Sequence, residues 1–204
     1  TLPCLGSNEV LSQAENLWQQ ARVLIGETAQ RAQSHHDLET EQQTQTLREI
    51  EEALITTFDV DELMDVLTKG LPRLGIPSCY LSLYEDPQPY EYPQPAPQWS
   101  RLMLAYSEVN GKHTESRIDL EPGGRRFRSR KLIPEGLWPQ GRRYNLLVES
   151  LHFREHQLGF VLFEVGPQDR AIYSKLRAQI SSAMYGALLL RERKLAEEAL
   201  ARSN

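Results

Sequence analysis

Apolar positions near the start of the chain recur in alternating steps of three and four, at Leu11, Ala14, Trp18, Ala21, Ile25 and Ala32, with Thr28 in step. That spacing puts a narrow stripe on one face of a helix. It fails at His35 and Glu39, and a second stripe starts at Leu47, Ile50 and Leu54. The Gln/Glu/His-rich stretch 33–46 is therefore expected as a solvated helix or a frayed hinge between two helical pieces. Gly26 weakens the first piece by about 1 kcal/mol relative to Ala. Residues 59–69 read as another helix, capped by Asp59 or Asp61, burying Leu63, Met64, Val66 and Leu67, and stopped by Gly70 and Pro72.

The period then changes to two. Pro77–Glu85 alternates, with Cys79, Leu81 and Leu83 on one face and Tyr80, Ser82 and Tyr84 on the other. Five prolines within 87–97 preclude ladder pairing and predict a stiff exposed loop. Trp99–Val109 resumes as a strand, with Leu102, Leu104 and Tyr106 alternating against Met103 and Ala105. Asn110-Gly111 predicts a hairpin turn into a return strand over 113–120. Residues 125–143 read as irregular, and Tyr144–Phe153 with Leu158–Val165 as a hairpin around His156-Gln157. A long helix runs from Asp169 to the end. Strands grouped between helices predict an α+β fold with a central antiparallel sheet, helices on one face, and long N- and C-terminal helices.

Composition sharpens this. Residues 8–56 carry nine acids against three arginines, net −6, whereas 170–204 carry seven bases against three acids, net +4. All 12 prolines fall at Pro3 or within 72–167, so both ends are free to be helical. A formal charge of −5 disfavours a general nucleic-acid role. No apolar run approaches the roughly 20 residues of a bilayer span, so no membrane insertion is expected. The first ten residues have neither a basic start nor an apolar core, so no secretory signal is expected. Cys4 and Cys79 alone make neither a disulfide framework nor a zinc site. The default is a cytoplasmic protein.

Catalytic motifs are missing: there is no Gly-x-Ser-x-Gly and no phosphate-binding loop, and the expectation is no catalytic residue. His35, His36, His113, His152 and His156 have no metal-ligand spacing, so no metal site is expected. Residues 121–143 are net +5, with Arg125, Arg126, Arg128, Arg130, Lys131, Arg142 and Arg143. Guanidinium forks suit carboxylates and phosphates, and equally a solvated loop or an acidic docking partner.

Three stretches carry a family resemblance. They are Leu47-Arg-Glu-Ile-Glu-Glu-Ala-Leu-Ile with Phe58-Asp-Val-Asp-Glu-Leu-Met-Asp-Val-Leu, then Leu74-Gly-Ile-Pro-Ser-Cys-Tyr-Leu-Ser-Leu-Tyr84, and the late block Leu147–Phe163. Together they resemble a GAF domain, and the helix ending LLLRERKLAEEALARSN resembles the signalling helix that joins such domains to a histidine kinase.

The resemblance implies three parts: an N-terminal signalling helix over 1–44, a sensory domain over 45–175, and a C-terminal signalling helix over 176–204. It implies a six-stranded type of sheet, with a ligand pocket on the face away from the helices, roofed by about 107–143. Tyr80, Tyr84, Tyr106, Arg126 and Arg128 are its candidate lining, for a small-molecule ligand of unspecified class and with no cofactor named. It also implies a parallel homodimer that drives a fused or neighbouring effector. Leu11, Trp18 and Ile25 form one candidate seam, and Leu176, Ile180, Ala183, Ala187 and Leu190 the other. A purely structural dimerisation spacer and a tetrapyrrole photosensor are the alternatives. For the photosensor Cys79 is the most tempting attachment point, although a free Cys in a strand is usually a buried small hydrophobe.

Overall fold

The computed structural model describes the backbone of residues 5–87, 89, 95–107, 118, 120–121, 123–139, 141–167 and 169–203, with their side chains except those of 5–11, 14, 35, 36 and 203. The expected Asn110-Gly111 turn, and most of the return strand over 113–120, lie outside the described residues. The chain divides into two units, Thr1–Thr44 and Gln45–Asn204.

The first unit is helical, and helix α1 spans Leu5–Thr56 without a break. Of the two readings for 33–46, the solvated helix is the one observed. Gln and Glu are good helix formers, and Gln33 Nε2 donates to Asp37 Oδ1 at 3.0 Å one turn on. Every described side chain from Ser12 to Thr44 is exposed, apart from half-buried Gln43.

The second unit starts with the end of α1, where Leu47, Ile50 and Leu54 are buried. Helix α2 (Val60–Arg73) begins at Asp59, whose Oδ1 accepts from the Asp61 and Glu62 amides at 2.9 and 3.2 Å. It runs through Gly70 and Pro72, past the expected stop. Gly70 is there for packing: a Cβ would come within 2.5 Å of Ile50 Cγ1. The stop comes at Gly75, in the left-handed conformation at φ +80°.

Among the described residues five strands follow: β1 (Ser78–Tyr84), β2 (Trp99–Ser107), β3 (Arg125–Arg128), β4 (Leu146–Phe153) and β5 (His156–Glu164). They form one antiparallel sheet in the order β3-β2-β1-β5-β4. Strand β3 corrects the expectation of an irregular 125–143. Its only apolar residue is Phe127, so no alternation announces it. What holds it is pairing with β2 and the stacking of Arg126 and Arg128 on Trp99, at 4.0 and 4.4 Å from the ring centroid. The β4–β5 turn is Arg154-Glu155, two residues before the expected one. In the proline-rich segment, Pro89 makes an isolated bridge to His156, a pairing that five prolines had argued against.

Helix α3 (Ala171–Ser203) closes the unit. One face of the sheet packs on the helices through Cys79, Leu81, Leu104, Val161, Phe163, Leu67, Leu176, Ile180 and Met184, all buried. The other face packs Tyr80, Leu102, Ala105, Phe160 and Leu162 under Phe127 and Ile133.

Candidate functional site

A groove runs along the helix face of the sheet, and a backbone irregularity makes its floor. Tyr80, Leu81 and Ser82 pair with Ala105, Leu104 and Leu102, so Met103 is an extra residue in β2. Such a bulge re-aims the side chains around it. Met103 lines two adjoining clefts of about 610 and 400 Å³, and Val60, Gly123 and Arg191 line both as well. Next to Gly123, Gly124 turns tightly at φ +82°, where a Cβ would sit 2.7 Å from the Met103 sulfur.

The larger cleft is walled by Phe58, Asp59 and Asp61 at the start of α2, and by Ala187, Leu190, Arg191 and Lys194 on α3. Those four α3 residues are spaced i, i+3, i+4 and i+7, a single stripe of the helix. The smaller cleft adds Leu83, Tyr84, Glu85, Arg101 and Leu188. The sequence hint was available in the run Leu188-Leu-Leu-Arg-Glu-Arg-Lys194, where apolar and basic positions share one face. The bulge, which no pattern reveals, conceals that Met103 meets it.

The expected lining is not brought together. Tyr80 lies on the sheet face away from the helices. Tyr84, at the end of β1, packs there against Phe160 while also lining the smaller cleft, so Tyr84 is the one expected residue that reaches the groove. Tyr106 lies on the helix face, where its hydroxyl donates to the Ile76 carbonyl at 2.6 Å, because the bulge reverses the alternation between Leu102 and Leu104. Arg126 and Arg128 flank Trp99, and Arg126 Nε also meets Glu85 Oε2 at 2.9 Å. Arg128 pairs in register with Trp99, and Arg126 with Arg101, so both point away from Phe127 and the tyrosine face.

The tyrosine face is filled by its own chain. Tyr80 is fully buried and its hydroxyl donates to the Leu137 carbonyl at 3.0 Å. Desolvation pushes its phenol above the ordinary range, so it stays a neutral donor. Leu132, at φ +61°, turns the backbone so that the Ile133 amide bonds the Lys131 carbonyl at 2.7 Å and Ile133 enters the core. Arg142 forms a two-pronged ion pair with buried Glu164, and Ser78 Oγ donates to the same carboxylate at 2.8 Å. The contacts of Leu137, Ile133 and Arg142 strap 129–145 onto the sheet.

One polar atom on this side is left over. The Ser82 hydroxyl is fully buried with no hydrogen-bond partner among the described residues. An unpaired buried hydroxyl costs about 1–3 kcal/mol. Ser82→Ala is therefore expected to stabilise the fold by about 1 kcal/mol in urea titration. A loss of stability instead would reveal a partner for the hydroxyl.

Of the expected helix seams, Trp18 and Ile25 are exposed at 71% and 69%, and the Leu11 side chain lies outside the described residues. Leu176, Ile180 and Ala187 are buried against the chain's own sheet and helices, and Ala183 is half-buried there. They are core positions, which corrects their assignment to a seam between chains. Leu190 is exposed, as are Leu189, Leu195 and Leu200.

Cys79 is buried mid-strand, and burial pushes its thiol far above the ordinary range, so it presents no thiolate. No group of three metal-ligating side chains occurs among the described residues, and no described helix is long and apolar enough to cross a membrane. No known protein family, curated protein or solved structure matches this chain.

Proposed function

We propose that this chain is a GAF-like, non-catalytic sensory and dimerisation module of a cytoplasmic bacterial signalling protein. In this reading it forms a homodimer, and its C-terminal helix relays ligand or partner state to an effector such as a histidine kinase. The observation that carries the reading is the double character of α3. Its first half buries Leu176, Ile180, Met184 and Ala187 in the sheet core, while its second half leaves Leu189, Leu195 and Leu200 exposed. A helix anchored in a domain at one end and apolar but uncovered at the other can transmit a shift in that domain to whatever covers it. Large apolar side chains exposed along one helix offer surface that a partner can cover. Trp18 and Ile25, and Leu17 and Leu24, repeat the pattern on α1 at seven-residue spacing. Burial of Cys79 weighs against covalent chromophore attachment there.

Sedimentation tests the reading. The wild-type chain is expected as a dimer at micromolar concentration. Leu195→Lys with Leu200→Lys is expected to give a monomer with unchanged circular dichroism, because both positions are solvent-exposed. A wild-type monomer at high micromolar concentration would sink the dimer. A dimer that no small molecule stabilises would favour a structural spacer.

A further inference from the structure

We infer that the groove between α2 and α3 binds a small zwitterion of the amino-acid type with a bulky apolar side chain. The inference rests on the sensory reading only for its purpose. Charge is distributed unevenly between the two clefts.

In the larger cleft Asp59 and Asp61 stand on the α2 side, and Arg191 and Lys194 on the α3 side. The Asp61 carboxylate, Arg191 and Lys194 make no ion pair among the described residues. Asp59 uses one carboxylate oxygen to cap α2. Two acids against two bases leave the cleft without net charge but with a direction. A simple anion meets the aspartates, and a simple cation meets Arg191 and Lys194. A ligand with an ammonium and a carboxylate a few bonds apart answers both walls at once.

The smaller cleft contributes no free charge of its own. Its Glu85 is taken by Arg101 at 3.1 Å and by Arg126 at 2.9 Å, and what remains beside Arg191 is Val60, Leu83, Tyr84, Met103, Gly123 and Leu188, mostly apolar. The charged end of a ligand therefore belongs in the larger cleft and its apolar end in the smaller. Clefts of about 610 and 400 Å³ fall in the range of small-molecule sites. Met103 is well suited as their shared floor, since a thioether adapts to irregular apolar shapes. A ligand so placed touches α2, the sheet and α3 together, and so acts on the spacing of α3 from the rest of the domain.

Calorimetric titration of the full 204-residue chain with three probes tests this: L-phenylalanine, N-acetyl-L-phenylalanine and L-phenylalanine amide. L-phenylalanine should bind, and each single-charge analogue should bind about 10-fold more weakly, the loss of one charged contact. Asp61→Asn should bring L-phenylalanine down to the N-acetyl compound, and Arg191→Gln should bring it down to the amide. Both charged positions are exposed, and circular dichroism checks that the variants fold. Equal or tighter binding of the N-acetyl compound overturns the zwitterion in favour of an anion site. No heat from any probe up to about 10 mM, with the dimer intact, overturns the groove and leaves the sensory reading standing. No binding and no dimer overturns both.

Discussion

Arg142→Ala is expected to destabilise the sheet unit by about 3 kcal/mol, a fall in melting temperature of about 6–12 °C. Glu164 is only 4% exposed, and Arg142 meets both of its oxygens, one at 2.6 Å. Removing the guanidinium leaves a buried carboxylate with Ser78 alone. Breaking a buried pair costs about 3–5 kcal/mol, and the partly exposed Arg142 side chain places this one at the lower end. Ser78→Ala should cost nearer 1 kcal/mol, because it removes a neutral donor and leaves the ion pair. Glu164→Leu in the Arg142→Ala background should recover much of the loss, since no buried charge then remains. Urea denaturation of the four proteins is the measurement. A loss below 1 kcal/mol for Arg142→Ala would show that water replaces the guanidinium, and 129–145 would then be held by Tyr80 and the buried apolar side chains.

That strap illustrates what sequence could and could not reveal. Strand β1 was legible from its alternation, and β4 and β5 as apolar runs on either side of a polar turn, and Cys79, Leu81 and Leu83 do share the helix face. Arg142 was visible only as one charge in a basic stretch. Its partner lies 22 residues away on another element, and pairing over that distance has no local signature. Tyr106 lies on the face opposite to the one expected because one extra residue at Met103 inverts the alternation within β2. The α3 stripe was legible as a stripe but not as to what covers it. Ile180 and Ala187 satisfy a helix-pair pattern and a helix-on-sheet pattern equally well, because both demand apolar residues every three or four positions. Only the sheet beneath them decides between the two.

Gly159→Ala should cost about 3 kcal/mol, and Gly186→Ala should stabilise by about 0.5–1 kcal/mol, although both add the same methyl group. Gly159 sits in β5 with Leu83 of β1 on one side and Leu151 of β4 on the other. A Cβ there would run into the Ser82 carbonyl and come within 2.8 Å of Leu83 Cα. Both obstacles are backbone of the central strand, so no side chain can swing aside. Relief requires β1 and β5 to part, and these strands carry the core residues Leu81, Val161 and Phe163. Gly186, in the middle of α3, has nothing within 4 Å of its added Cβ. There the change only removes the excess backbone freedom that glycine brings to the unfolded chain. Opposite signs in thermal unfolding are the expected result. Tolerance of alanine at Gly159 would mean that β1 and β5 are looser in solution than their register implies. The Met103 bulge, which pairs against the same strand, would then be a less rigid floor for the groove.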